Sequence, residues 1–512
     1  MKQLSENKKV AINLISSIVV MIVSIAINFF LSPYIVKHLG TEANGFTQLA
    51  NNFIMYASLI TIALNSMAVR FITIHYHKGE IEKANSYYSS VIIGNIFVVL
   101  LFIVPSIIIV MNLQKIININ QVNVNDTKLL FAFVFANFFM NQICGIFNIA
   151  MFVTNKLYIA NIINLIRTAL NGICLLVMFN FLPAQMYYVS LIGLILTIIT
   201  VPLLMIVKRN ILPSVLFNIK LFDLKYLKDL ITSGIWNTIN QCGNILMTGL
   251  DLLLANLFVS PLQMGLLAIA KTIPNAIIQI AATINFNFSP NLTITYANNN
   301  NSALINQIRV SMKISSILIS IPITVFCIFG PNFYVLWMPS LDPKPLTILS
   351  FLTFMAFIPL AGPQVLYNVF TTTNKLRWNS ITFLIAGFLN FIIVLILLKI
   401  SNFGVYAVAG VSSSITILRN MLFVVPYASI LLGLKWYEFY KDVAISMFCC
   451  FIVGVISFVV KSFITVDSWV VLIIAVAISC MLSFVANVII VLNKSEKKKL
   501  LQKLLRKEEV YG

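Results

Sequence analysis

Charged residues are scarce in this sequence of 512 residues. Asp, Glu, Lys and Arg together make up 10% of the chain, whereas soluble domains usually carry about 25%. Hydrophobic residues account for 60% of the sequence, and the mean hydropathy is strongly positive. So little charge beside so much apolar surface excludes an ordinary soluble domain and predicts an integral membrane protein.

Cysteine and histidine are also few. The seven cysteines form no C-x-x-C pair and their number is odd, so neither a disulfide framework nor a zinc site is predicted. Two of the three histidines, His75 and His77, share a polar loop without further ligand residues, a setting more typical of solvated surface than of a metal site. The sequence contains no catalytic constellation, and we expect neither enzyme activity nor a cofactor.

Long apolar runs are what the sequence has in abundance. Each run of about 20 residues is long enough to cross a hydrocarbon layer of about 30 Å as a helix. We predict an all-α membrane protein with about 14 transmembrane helices. Their predicted spans are 10–32, 45–67, 87–111, 128–152, 158–180, 186–207, 230–256, 262–286, 309–330, 346–370, 379–399, 404–428, 443–461 and 468–492.

The positive charge is distributed unevenly between the connecting segments. Most of the 34 Lys and Arg residues fall in alternate connections, which become cytoplasmic when the N-terminus is placed inside. This bias predicts that both termini are cytoplasmic. The same bias explains the formal net charge of +19, because Lys and Arg residues in cytoplasmic loops set the membrane topology. We therefore expect no nucleic acid partner.

An internal repeat divides the chain. The positions of Ser17, Ser24, Asn28 and Gly45 align, at a constant offset and without a gap, with those of Asn237, Asn244, Thr248 and Gly265. Because the offset comprises an even number of spans, the repeat predicts two parallel six-helix lobes. The predicted organisation is an N-terminal lobe at 1–207, a basic amphipathic cytoplasmic linker at 208–229, a C-terminal lobe at 230–428, two extra helices within 443–492 and a basic cytoplasmic tail at 493–512.

Polar side chains form stripes along several spans. Residues three and four apart share one face of a helix, and amides recur at this spacing most clearly in the seventh span. For any single stripe, hydrogen bonds between neighbouring helices explain the pattern equally well. Taken together, the stripes predict a central water-filled cavity lined by Asn51, Asn164, Asn237, Asn240, Gln241, Asn244, Thr248 and Asn275.

Charges within the spans are nearly all cationic. A charge at the centre of a bilayer costs at least about 2.5 to 3.5 kcal/mol, so such residues tend to mark a transport path. The predicted substrate-binding cations of the cavity are Lys271, Arg167, Arg419 and Arg70. Cations spread through the depth of the membrane indicate a path for an anion.

Two residues near Lys271 affect its interpretation. Asp251 lies in the neighbouring span, so the two residues are either a structural ion pair or, separately, an ion site and a substrate ligand, and the sequence leaves both open. Pro274 cannot donate to the carbonyl of Ala270. The proline therefore predicts a hinge in the eighth span, with a free carbonyl beside the lysine.

Two stretches carry a family resemblance. "HLGTEANGF" and "SGIWNTINQCGNILMTGLDLLLANLFVSPLQMGLLAIAKTIPN" resemble the beginnings of the two halves of Wzx-type polysaccharide flippases, within the multidrug/oligosaccharidyl-lipid/polysaccharide exporter superfamily. The resemblance implies a multi-pass protein of the bacterial cell membrane that moves a polyprenyl-pyrophosphate-linked oligosaccharide to the outer leaflet by alternating access. It also implies polysaccharide polymerase or glycosyltransferase partners.

Two other functions compete with this one. A small-molecule or drug efflux antiporter of the same fold would need acidic residues in its cavity, and we expect none in the spans of the N-terminal lobe. A non-transporting membrane scaffold would tolerate replacement of every buried cation.

Overall fold

The fold is helical throughout the part of the chain that can be described. The computed structural model describes residues 6–298 and 300–497, and no β-strand occurs within these ranges. Twelve helices among the described residues are long and apolar enough to cross a membrane. The seventh and tenth predicted spans contain interrupted helices instead. The predicted all-α integral membrane fold is confirmed.

Internal contacts divide the chain into two compact units, Met1–Ile269 and Ala270–Gly512. The long helices of the first unit cover predicted spans one to seven, with bounds shifted by up to ten residues. The described helices of this unit are α1 (Glu6–Leu39), α2 (Thr41–His77), α3 (Ile81–Met111), α4 (Leu113–Ile116), α5 (Val124–Cys144), α6 (Ile149–Val153), α7 (Leu157–Phe181), α8 (Tyr188–Ile211), α9 (Leu224–Asn244) and α10 (Asp251–Phe258).

The next helix, α11 (Pro261–Phe286), contains the point at which the two units divide. The described helices of the second unit are α12 (Ser289–Ala297), α13 (Asn301–Trp337), α14 (Pro343–Phe354), α15 (Phe357–Leu360), α16 (Tyr367–Thr372), α17 (Leu376–Ile400), α18 (Val405–Arg419), α19 (Val425–Leu431), α20 (Tyr440–Phe463) and α21 (Trp469–Val491). The predicted limits of the lobes stay a prediction.

Large apolar side chains are exposed on the outer surface of these helices, as expected for helices that lie in lipid. Phe97, Phe451 and Ile473 are each more than 60% exposed, a cost in water that disappears when hydrocarbon chains surround them. The helices approach one another through small residues instead. A Cβ on Gly234 of α9 would lie 2.1 Å from the carbonyl oxygen of Ala63 on α2, so these two backbones are in direct contact.

The seventh span is interrupted in its middle. A π-helical turn at Ile245–Gly249 separates α9 from α10, and Asp251 is the first residue of the second part. The carbonyl of Gly249 accepts hydrogen bonds from the Tyr56 hydroxyl at 2.7 Å and the Asn52 amide at 3.1 Å, both on α2. These side chains replace the backbone bonds that a continuous helix would supply.

Three acidic residues correct the expectation that the N-terminal spans contain none, since Glu82 lies in the first turn of α3 in addition to the two described next. Glu42 and Asp126 lie in the first turns of α2 and α5, because both helices begin four residues earlier than predicted. The Glu42 carboxylate accepts the backbone N–H groups of Asn120 and Gln121 at 2.9 and 3.0 Å. Asp126 accepts two consecutive backbone N–H groups in the same way. Each carboxylate therefore fixes a loop.

The segment that joins the predicted lobes is held against α3. The backbone N–H of Leu216 donates to Asn85 at 2.9 Å, and that of Asn218 donates to Ser89 at 3.0 Å. Leu216 and Ile219 are more than half exposed beside Lys220, and the amphipathic, cytoplasmic character of the segment stays a prediction. Most of the predicted basic tail, 498–512, lies outside the described residues.

Candidate transport cavity

The polar stripe of α7 faces the interior of the first unit. Asn164, Arg167, Thr168 and Asn171 occupy positions i, i+3, i+4 and i+7 of this helix, so all four project from one side. These residues line two neighbouring cavities. Of the residues predicted to line a cavity, Arg167, Asn51 and Asn164 are found at these two.

The larger cavity has a volume of about 270 Å³ and lies among α1, α2, α5, α7 and α8. Amides from four different helices face it, together with the hydroxyl groups of several threonines and one serine. Its amide residues are Asn28, Asn51, Asn137 and Asn171. Because each amide carries both donors and an acceptor, the wall suits a ligand rich in hydroxyl or amide groups.

The smaller cavity, of about 210 Å³, continues along α5, α7 and α8. Its amide residues are Asn141, Asn148 and Asn164. Arg167 and Thr197 line both cavities, so they stand at the junction of the two. The result is one polar column within the first unit with a guanidinium between its two parts.

Arg167 is the only charged residue in the lining of either cavity. Within the described residues, no hydrogen bond or ion pair joins its guanidinium to another side chain. Five N–H donors in a planar fork are thus available to a ligand. A partly buried cation without an acidic neighbour in its cavity attracts an anion, and a phosphate matches the geometry of the fork.

Arg419 in the second unit has a different environment. Its side chain is 8% exposed, and its guanidinium donates to the backbone carbonyl of Asn379 and to the Tyr367 hydroxyl, each at 3.0 Å. The charge also lies 4.9 Å from the centre of the Phe383 ring. These partners hold α16, α17 and α18 together, although the predicted role of Arg419 toward a substrate stays a prediction.

We expect Arg419→Met to destabilise the protein. The variant removes several charge-assisted hydrogen bonds from a buried site and leaves their acceptors unsatisfied, a loss of roughly 2 to 4 kcal/mol. Thermal unfolding of the purified protein in detergent should show a lower midpoint temperature. Arg377→Met, which alters an exposed arginine of the neighbouring helix α17, is the control, and equal midpoints for the two variants would contradict the prediction.

The prediction of a free carbonyl beside Lys271 is wrong. Although Pro274 cannot donate to it, the carbonyl of Ala270 accepts the hydroxyl of Ser350 at 2.8 Å. Tyr334 donates toward the same oxygen at 3.5 Å, and Ser350 and Tyr334 are both fully buried. Helix α11 continues through Pro274. Lys271 is buried, with 8% of its surface exposed, whereas Asn275, which was predicted to line the cavity, is exposed. The role of Pro274 as a hinge stays a prediction.

The predicted stripe of the seventh span lies outside the two cavities. Asn237 donates to the Ser66 hydroxyl on α2 at 3.1 Å, and the Thr248 hydroxyl donates to the backbone carbonyl of Asn244 at 3.3 Å. Asn240 and Gln241 are half-buried, and Asp251 is buried. Arg70, the fourth predicted cation, is exposed on α2.

Sequence reasoning missed the contribution of α5 and α8. Asn137, Asn141 and Asn148 follow one side of the fourth span and the short 3₁₀ turn after it, a spacing that is visible in the sequence. Gly193 and Thr197 lie one turn apart on α8, where a glycine and a threonine between apolar residues give a weaker signal. The amide stripe of the fourth span was therefore easier to detect from the sequence than the glycine and threonine of α8.

Comparison with known proteins matches this chain to a family and to a relative. The family model described as "Polysaccharide biosynthesis protein" matches residues 10–290. The uncharacterized membrane protein EpsK of Bacillus subtilis (strain 168) is 27% identical over 470 residues, which cover 90% of this chain and 91% of EpsK.

Solved structures show a similar fold. An inward-facing multidrug resistance MATE family transporter of the MOP superfamily aligns with a TM-score of 0.66 at 14% identity, covering 81% of this chain and 98% of its own. The lipid II flippase MurJ, in an inward closed conformation, aligns with a TM-score of 0.64 at 13% identity, covering 96% of this chain and 99% of its own. At such identities the likeness concerns the fold alone.

Proposed function

Because this chain belongs to the polysaccharide biosynthesis protein family, we propose that it is a flippase for a lipid-linked oligosaccharide. Its substrate is a polyprenyl-pyrophosphate-linked oligosaccharide, which it moves from the inner to the outer leaflet of the bacterial cell membrane. The transported unit serves the assembly of a cell-surface polysaccharide of the capsule, exopolysaccharide or O-antigen type.

One observation carries this proposal. The two cavities of the first unit contain a single charge, the guanidinium of Arg167, and otherwise a wall of amides and hydroxyl groups. A pyrophosphate-linked sugar presents the complementary groups, an anion beside many hydroxyl groups. Arg167 binds the pyrophosphate through charge-assisted hydrogen bonds. The side-chain amides form hydrogen bonds with the sugar hydroxyl groups, which replace those that the hydroxyl groups lose when they leave water.

The cavity chemistry disfavours a cation-coupled drug antiporter. Such a transporter needs a carboxylate that exchanges a proton or metal ion for a cationic drug, yet neither cavity is lined by Asp or Glu. Glu42 and Asp126 are occupied by backbone N–H groups of the loops. The similarity to a multidrug transporter structure extends to the fold and supports no drug substrate.

The rest of the mechanism follows as part of the same proposal. Two parallel lobes, 1–207 and 230–428, alternate access to the cavity, with both termini in the cytoplasm and the linker 208–229 along the inner surface. Lys271, Arg419 and Arg70 supply further contacts to the anion in other states of the cycle. Glycosyltransferases deliver the substrate on the inner side, and a polysaccharide polymerase receives it on the outer side.

We expect loss of the gene to leave the lipid-linked oligosaccharide in the inner leaflet. The precursor should accumulate and react with a membrane-impermeant glycan oxidant in inside-out vesicles, while right-side-out vesicles leave it intact. Complementation with the wild-type gene is the control and should restore export. If the deleted strain instead makes no precursor, the protein acts in synthesis and the flippase proposal is wrong.

A further inference from the structure

Gly193 of α8 differs from the glycines of this protein that lie at close contacts between helices. At Gly45, Gly234 and Gly265 an added Cβ would lie 3.0 Å or less from backbone atoms of another helix. At Gly193 the nearest atoms are the side-chain amide nitrogens of Asn137 at 3.5 Å and Asn171 at 3.8 Å, which is ordinary van der Waals contact. Helix packing therefore does not require a glycine at this position.

A glycine inside a helix destabilises it relative to alanine, because the unfolded glycine has more conformational freedom to lose. Gly193 lies in the interior of α8 and lines the larger cavity. No close backbone contact requires the glycine, and any side chain added at this position would enter the cavity that Gly193 lines. The missing side chain leaves open the space between Asn137 and Asn171.

Hydrogen bonds orient the amide of Asn137 toward this space. Its side-chain oxygen accepts from the Thr197 hydroxyl at 2.7 Å and from the Asn141 amide at 2.9 Å. With the oxygen occupied by two donors, the Asn137 NH₂ group remains for a ligand. The side chain of Asn171 makes no hydrogen bond to any other part of the described chain, so a second NH₂ group converges on the same point.

The space between Asn137 and Asn171 lies next to Arg167, and this indicates which part of the substrate occupies it. Asn171 follows Arg167 by four residues on α7, so the amide lies one helical turn from the guanidinium on the same face. A group bound between Asn137 and Asn171 is therefore the neighbour of an anion bound by Arg167. The lining of the larger cavity offers it no second charge.

We propose that the larger cavity binds an uncharged sugar next to the pyrophosphate, that Asn137 and Asn171 donate hydrogen bonds to its hydroxyl or acetamido oxygens, and that Gly193 provides the room for it. This inference rests on the proposed flippase function and adds the class of the first sugar. A volume of about 270 Å³ is close to the lower limit of about 300 Å³ for small-molecule pockets and suits one sugar residue.

Binding to the purified full-length protein tests this site. The two probes are the lipid-linked precursor extracted from cells that lack the gene and the same polyprenyl pyrophosphate without sugar. We expect Gly193→Val to weaken binding of the precursor by about tenfold, the loss of two ordinary hydrogen bonds, and to leave binding of the bare pyrophosphate unchanged. Gly193→Ala should act in the same direction with a smaller effect.

Matched variants make the result specific. Gly454→Ala adds a methyl group to α20 at a point with similar room, 3.6 Å from Thr324, and should bind both probes like the wild type. Arg167→Ala should weaken both probes. Equal weakening of both probes by Gly193→Val, or no weakening of either, would overturn the sugar site while leaving the flippase proposal intact. Failure of the wild type to bind either probe would overturn the flippase proposal itself.

Discussion

Arg167→Ala is expected to reduce polysaccharide export by about 10- to 100-fold, because the variant removes charge-assisted hydrogen bonds of about 1.5 to 3 kcal/mol each from the pyrophosphate. Arg167 has no hydrogen-bond or ion-pair partner within the described residues, so protein abundance and thermal stability should stay close to those of the wild type. Export is measured as surface polymer per cell, normalised to the amount of protein in the membrane.

Two further variants separate charge from geometry. Arg167→Lys keeps the charge but loses the planar fork that contacts two phosphate oxygens, so its export should lie between those of Arg167→Ala and the wild type. Arg419→Met should instead lower thermal stability, because the guanidinium of Arg419 donates hydrogen bonds to Tyr367 and Asn379. Normal export by Arg167→Ala would remove this residue from the substrate path.

Gly265→Val is expected to stop transport nearly completely. Gly265 at the beginning of α11 lies so close to α2 that its Cβ would be 2.3 Å from the carbonyl oxygen of Thr41. A Cβ on Gly45 would in turn lie 2.9 Å from the Cα of Gly265. Valine therefore forces the two backbones apart, at a cost of about 1 to 3 kcal/mol, and disrupts this close packing of α2 against α11.

Alanine substitutions give a matched comparison. Gly265→Ala places its methyl group against the backbone of α2, whereas Gly410→Ala places one 3.6 Å from the side chain of Leu352. Export and melting temperature should both fall for Gly265→Ala and stay unchanged for Gly410→Ala. If both alanine variants transport normally, the close approach of α2 and α11 has no part in the cycle.

The sequence predicts the membrane fold well because the signal is long and repeated. Twelve of the predicted spans are matched by helices long enough to cross a membrane, since a bilayer requires runs of about 20 apolar residues and leaves little choice of structure. Gly45 and Gly265, which the internal repeat aligns, approach each other closely, while the two-lobe organisation that the repeat predicts stays a prediction. The interruption at Ile245–Gly249 was not predictable, because no proline marks the π-helical turn.

The candidate site was predicted only in part. Arg167 and Arg419 look alike in the sequence, as single cations in polar stripes, but one faces a cavity and the other is bound by Asn379 and Tyr367. Spacing along one helix shows which face is polar, and it gives no information on what packs against that face. The carbonyl of Ala270 illustrates the same limit, because its partner Ser350 comes from a distant helix.

Leaflet transfer by the purified protein tests the central claim most directly. Proteoliposomes are loaded with the extracted lipid-linked precursor, and the fraction accessible to an impermeant glycan oxidant is followed with time for the wild type, Arg167→Ala and Gly454→Ala. The flippase proposal predicts that the wild type and Gly454→Ala expose precursor from the inner leaflet, while Arg167→Ala resembles liposomes without protein. Equal exposure with and without wild-type protein would contradict it.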